Sequence, residues 1–176
     1  MSRTPTCRTP IFCSVIGAVA LTLPALAGCG EEGSFELSWT IGKKPVTSIR
    51  DCSSHGLDSV EVLAQQSSGE SRRAIFPCYS PNDGPVGRGP GLEPGQTPLT
   101  VYGLSASALR LTAPVQATVE IPETGLTSLD VDIPEPPQCL DGVDNDGDGF
   151  VDLLDTGCES GSDPSEAGGA GGGAGQ

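Results

Sequence analysis

The chain is poor in basic residues, histidine and methionine. It has 9 lysines and arginines against 23 aspartates and glutamates, a formal net charge of −14, and only one histidine and one methionine in 176 residues. Proteins that bind nucleic acid need a basic surface to neutralise phosphates, so we expect no nucleic-acid partner. His55 is the single histidine, and it lies in a short polar segment without a nucleophile motif, which argues against a Ser-His-Asp hydrolase.

The chain also lacks an apolar run long enough for a transmembrane helix, which needs about 20 residues. Its longest run, from Ile11 to Ala27, is interrupted near its end by Pro24. Arg3 and Arg8 precede this run and are the only charges before it. A basic start, an apolar stretch and an end in small residues are typical of a cleaved secretory signal.

The apolar run closes with Leu26-Ala27-Gly28-Cys29, which resembles the lipobox of bacterial lipoproteins. In that family the cysteine is linked to diacylglycerol, and cleavage just before it makes it the first mature residue. The resemblance implies a signal peptide at residues 1–28, lipidation of Cys29, a lipidated tether at 29–34 and attachment to a membrane. The absence of Asp directly after Cys29 resembles lipoproteins of the outer membrane, on its periplasmic face or at the cell surface.

Cleavage would leave four cysteines able to pair, because Cys7 and Cys13 leave with the signal and Cys29 carries lipid. The four are Cys52, Cys78, Cys139 and Cys158. An even number in an oxidising compartment predicts two disulfides. We favour a bond between Cys52 and Cys78, because both lie in a strand-rich region. We favour a second bond between Cys139 and Cys158, because these two bracket an acidic cluster. Zinc is the competing interpretation, but neither pair has Cys-x-x-Cys spacing.

Residues 35–133 predict an all-β domain. From Phe35 to Ile41 apolar and polar residues alternate, which is typical of a strand with one buried face. Similar segments recur, separated by turn-forming residues. They are 60–64, 73–76, 99–101, 109–111, 115–121 and 129–133. About seven short strands predict a small antiparallel β-sandwich. Residues 56–66 allow at most a short helical turn leading into a strand, and residues 80–98, rich in Gly and Pro, predict an exposed loop.

The turn Leu92-Glu93-Pro94-Gly95 precedes the predicted strand at Leu99. With the strands at 115–121 and 126–133, this pattern is similar to carboxypeptidase regulatory-like or transthyretin-like sandwiches. The tyrosine usual after that turn is absent, since Gln96 stands there. The resemblance implies a structural or adhesive module.

Six aspartates fall between Cys139 and Cys158. They are Asp141, Asp144, Asp146, Asp148, Asp152 and Asp155. With Asp144 as position 1, the last five stand at positions 1, 3, 5, 9 and 12, and Gly149 stands at position 6, as in a calcium loop of the EF-hand type. Such a loop winds around one hard cation, and glycine permits the sharp bend at position 6. We therefore predict six ligands, namely Asp144, Asp146, Asp148, the main-chain carbonyl of Phe150, Asp152 and Asp155.

The segment departs from an EF-hand in two respects. Asp155 replaces the bidentate Glu, and the prolines at 134, 136 and 137 exclude a helix upstream. The spacing Cys-x-Asp-Gly-x-Asp-Asn-Asp with a closing Cys resembles thrombospondin type 3 repeats and the MopE-type metal-binding motif. These families imply Ca²⁺; a copper association is known in the second, but carboxylates without nearby His or Met favour a hard cation. The alternative interpretation of the Asp-rich segment is a solvated acidic tail that binds no metal.

The domain order predicted is signal peptide 1–28, tether 29–34, sandwich 35–133, Asp-rich calcium-binding loop 134–158 and disordered Gly-rich tail 159–176. Together these features predict a non-enzymatic, lipid-anchored cell-envelope protein with a structural or binding role. We expect an envelope protein or a glycan as its partner, but no sequence motif identifies which. One alternative is a metal-handling protein that sequesters or senses a cation. A less favoured alternative is an enzyme whose site the sequence hides.

Overall fold

The computed structural model describes residues 32–167, which contain eight β-strands, one short helix and two 3₁₀ turns. The predicted signal peptide, Cys29, the start of the tether and residues 168–176 lie outside the described residues. The strands are β1 (Ser34–Ile41), β2 (Lys44–Pro45), β3 (Ser59–Gln65), β4 (Ser71–Pro77), β5 (Val86–Arg88), β6 (Gly95–Leu104), β7 (Val115–Ile121) and β8 (Leu126–Ile133). The helix α1 spans Ile49–Ser53. No helix in this part of the chain is long and apolar enough to cross a membrane.

The strands form two sheets. In the first, β1 pairs antiparallel with β2 and β5 and parallel with β8. The second has the order β4-β3-β6-β7 and is antiparallel throughout. The prediction of a small all-β sandwich is confirmed, but the expectation that every pair is antiparallel is wrong for β1 and β8. The chain enters β8 from β7, which belongs to the other sheet, so no hairpin turn forces β8 to run against β1.

The core lies between the two sheets. The inner face of β1 consists of Phe35, Leu37, Trp39 and Ile41, none of them more than 3% exposed. From the second sheet, β3 and β6 contribute Val60, Val62, Leu99 and Val101, all essentially buried. Burying a large apolar side chain stabilises the fold by about 1.5–3 kcal/mol. The alternation seen in the sequence is therefore the alternation between core and solvent.

The predicted bond between Cys52 and Cys78 is confirmed. Helix α1 carries Cys52, and Cys78 follows directly after β4; both are fully buried. The Trp39 indole nitrogen donates a hydrogen bond of 3.0 Å to the main-chain carbonyl of Cys78. The disulfide and this bond fix α1 and the end of β4 against the core strand β1.

Two local predictions are wrong, and one short helix was not predicted. Residues 109–111 form no strand, only an isolated bridge between Arg110 and Leu104, because two apolar residues before Ala113-Pro114 are too few to extend a ladder. Helix α1 was not predicted, whereas residues 56–66 lead into a strand as expected, namely β3. The segment 80–98 is not one loop, since it contains β5 and the start of β6. Pro98 lies in β6 opposite Thr118 of β7, just beyond Leu99, where the pairing of β6 with β3 ends.

Candidate metal centre

The Asp-rich segment follows β8 and is closed by a disulfide. One 3₁₀ turn, Gln138–Leu140, places Cys139 in a buried position, and a second spans Asp152–Leu154. The predicted bond between Cys139 and Cys158 is confirmed. The ring that it closes contains all six aspartates of the motif.

Three of the predicted ligands converge. Carboxylate oxygens of Asp144, Asp146 and Asp148 all lie within 4.8 Å of one another, and the three residues are exposed. Like charges this close repel one another unless a cation lies between them. This trio of carboxylates could hold a metal ion.

Backbone hydrogen bonds to the trio explain why it converges. Asp144 accepts bonds from the N–H groups of Gly147 (2.7 Å) and Gly149 (3.0 Å), one on each carboxylate oxygen. Both glycines have positive φ, 81° and 94°, a conformation that a side chain would strain. Asp146 and Asp148 each accept a bond from the N–H two residues later, at 3.1 and 2.9 Å. The loop therefore curls around its own carboxylates.

The other predicted ligands do not belong to the trio. One oxygen of Asp152 accepts the Gly142 N–H at 3.0 Å, and its backbone has a φ of 51°. Asp155 is 5% exposed, and its Oδ1 accepts the Gly157 N–H at 2.6 Å. Its Oδ2 is buried without a hydrogen-bond partner among the described residues. Phe150 lies two residues after Asp148 and is 55% exposed.

The sequence reasoning missed Glu166, which is completely buried. Its Oε1 accepts the Asp152 N–H at 2.5 Å and its Oε2 accepts the Asn145 N–H at 2.7 Å. Its own N–H donates to the side-chain oxygen of Gln138 at 3.1 Å. The prediction of a disordered tail from residue 159 is therefore wrong for residues 159–167. No apolar pattern could have predicted this, because polar bonds to the backbone order the segment.

A further turn lies between the disulfide and Glu166. Asp163 Oδ2 accepts the N–H groups of Ser160 and Glu159, both at 2.7 Å. These bonds, led by the one from Ser160, lower the pKa of the Asp163 carboxyl. Asp163 also offers its carbonyl to the Cys139 N–H at 3.4 Å. The segment after the disulfide thus folds back onto the start of the Asp-rich loop.

Asp141 joins the loop to the sandwich. The residue is 6% exposed, and this burial raises the pKa of its carboxyl above the ordinary value despite hydrogen bonds from Asn145 and Val143. The charges of Asp152 and Glu166 raise the pKa further. Its carbonyl lies against Gly56, where an added Cβ would approach the oxygen to 1.7 Å. Only glycine at position 56 allows the loop to pack this closely.

A cleft of about 400 Å³ opens beside this contact. Polar residues that line it include Asp51, His55, Glu135 and Asp141. Asp51 accepts four hydrogen bonds from the two residues that precede α1, and Glu135 accepts one from Lys44 Nζ at 2.9 Å. These hydrogen bonds tie the Asp51 carboxylate to the segment before α1 and the Glu135 carboxylate to β2.

No protein-family model matches the chain, and no curated protein matches it. Among solved structures, the chain is similar to a leucine-rich repeat protein from Bacteroides thetaiotaomicron VPI-5482, with 11% sequence identity and a TM-score of 0.41. The match covers 59% of this chain and 12% of that chain, so this chain spans only a small part of the matched protein's length. A likeness at this level says nothing about function.

Proposed function

We propose that this chain is a lipid-anchored cell-envelope protein with a structural or binding role, and that Ca²⁺ stabilises its Asp-rich loop. The observation that carries the calcium assignment is the convergence of Asp144, Asp146 and Asp148 within 4.8 Å. The anchor rests on the sequence Leu26-Ala27-Gly28-Cys29 alone. The two disulfides agree with an oxidising compartment.

The chemistry of the donors favours calcium over softer ions. Carboxylate and carbonyl oxygens are the ligands that hard cations prefer, and a flexible, multidentate oxygen site suits Ca²⁺ better than Mg²⁺. Asp144, Asp146 and Asp148 would form the centre of the site, and the Phe150 carbonyl and the carboxylates of Asp152 and Asp155 would complete it. A bound cation would also supply the partner that the buried Oδ2 of Asp155 lacks.

Isothermal titration of the oxidised chain with Ca²⁺ tests this proposal. Because Asp stands at position 12 in place of Glu, the dissociation constant should fall near that of extracellular modules, roughly 10⁻⁴ to 10⁻³ M. Asp148→Ala removes one of three converging carboxylates and should abolish most of the binding. The matched control is Asp58→Ala, which removes an exposed aspartate outside the loop. Equal heats for both variants would refute a site at the trio.

A metal-handling role is the second candidate, and the exposure of all three carboxylates favours it, because an exposed ion exchanges freely. A protein that sequesters or senses a cation needs selectivity that a structural site does not. Competition between Ca²⁺ and Mg²⁺ in the same titration distinguishes the two roles. Strong preference for one ion at micromolar concentration would favour metal handling, whereas weak binding of both would favour a structural role.

A further inference from the structure

Glu166 lies 11 residues beyond Asp155, outside the motif that identifies the loop, yet it reaches into the loop at two places. Its two carboxylate oxygens accept the N–H groups of Asn145 and Asp152, at 2.7 and 2.5 Å. In the loop numbering these are positions 2 and 9. One side chain therefore joins the half of the loop that carries the trio to the half that carries the later carboxylates.

The burial of Glu166 needs a physical reason, because an ionised carboxylate is costly to remove from water without partners. Two charge-assisted bonds from backbone N–H groups supply such partners and are stronger than bonds between neutral groups. The bond from the Asp152 N–H restrains a residue whose backbone has the uncommon φ of 51°. The bond to Asn145 acts on the residue between Asp144 and Asp146. Glu166 thus restrains both the spacing of the trio and the placement of Asp152.

We propose that Glu166 is a positioning residue of the cation site, and that the site extends beyond Cys158 to include residues 159–166. This inference rests on the calcium-binding function proposed above. Glu166 acts through the backbone and is not itself a ligand. Because the same bonds hold the loop and the terminal segment, calcium binding and docking of that segment stabilise each other. Residues that hold metal ligands in place typically change metal affinity 10–100-fold when they are substituted.

The test compares Glu166→Gln with Glu159→Gln in the oxidised full chain. Both substitutions remove one negative charge after the disulfide, but Glu159 is exposed. The glutamine at 166 keeps the size of the side chain but has only one acceptor oxygen for two N–H donors. We expect calcium affinity to fall 10–100-fold in Glu166→Gln and to stay unchanged in Glu159→Gln, with the melting temperature of the sandwich in chelator unchanged in both.

Amide exchange at saturating calcium separates positioning from a general loss of structure. In Glu166→Gln the amides of Asn145 and Asp152 should exchange faster than in the unmodified chain, whereas those of Gly147 and Gly149, which are bonded to Asp144, should stay protected. Equal calcium affinity in the two variants, or unchanged exchange at Asn145 and Asp152, overturns the positioning role alone. Failure of the unmodified chain to take up calcium overturns the proposed function instead.

Discussion

Glu61 has two arginine partners on the outer face of the second sheet. Its side chain is 3% exposed and accepts hydrogen bonds from the Nε atoms of Arg73 and Arg110, the latter at 2.7 Å. The Arg110 guanidinium also lies 3.9 Å above the ring of Tyr102. Burial alone would raise the pKa of the Glu61 carboxyl, but the bonds from Arg110 and Arg73 outweigh it and lower the pKa below its ordinary value.

The lowered pKa of Glu61 predicts a pH dependence. A carboxyl whose pKa is lower in the folded state contributes stability above its unfolded pKa, and this contribution is lost as the pH falls through its folded pKa. Glu61→Gln should therefore reduce the free energy of unfolding at pH 7 by about 1–2 kcal/mol. The loss is no larger because both arginines are about half exposed to solvent. The free energy of unfolding of the variant should also fall less steeply as the pH is lowered. Denaturant unfolding between pH 7 and pH 3 measures both. The exposed Glu120→Gln is the control, and an equal loss in the two variants would contradict the role of the arginines.

At the residue scale the aspartate spacing predicted the trio but not Glu166. The trio follows from local chain geometry, because Asp144, Asp146 and Asp148 alternate, and the glycines within and just after the trio allow the chain to bend. Glu166 is different. Its partners are backbone N–H groups, which every residue except proline has, so the sequence around it carries no signal of the contact.

At the scale of elements, the disulfide between Cys52 and Cys78 should stabilise the sandwich, and the one between Cys139 and Cys158 should stabilise the loop. Closing a chain segment of the first size is worth about 3 kcal/mol in the chain-entropy model. Replacing Cys52 and Cys78 together by Ala should lower the free energy of unfolding of the sandwich by about that amount. The same replacement of Cys139 and Cys158 should lower calcium affinity and leave the sandwich nearly unchanged. Equal effects on sandwich unfolding would contradict this division.

Strands with one buried face, such as β1, were predictable from the sequence. In β1 the residues from Phe35 to Ile41 alternate without interruption, and the structure buries every second one. The parallel pairing of β1 with β8 was not predictable, because alternation shows which face is buried but not which strand is the neighbour or in which direction it runs. The β5 strand was missed because it has only three residues, one of them a glycine, and such a short segment cannot show an alternation of apolar and polar residues.

At the scale of the whole molecule, the proposed lipid anchor depends on Cys29. The expected diacylglycerol attachment needs its thiol, so Cys29→Ser should leave the product unlipidated, either soluble or unprocessed. Detergent partitioning and mass spectrometry of the mature N-terminus measure this. A processed, acylated product from the Cys29→Ser gene would contradict the lipoprotein assignment, whereas the calcium proposal would be unaffected.

The central claim is that Ca²⁺ orders the Asp-rich loop, and amide hydrogen exchange of residues 144–155 tests it most directly. Without a cation, repulsion among the converging carboxylates opposes the closed loop, which has little apolar burial to offset it. In the oxidised chain, saturating calcium should slow exchange across residues 144–155 and leave β1 and β3 unchanged. Equal protection of the loop in calcium and in chelator would contradict the account.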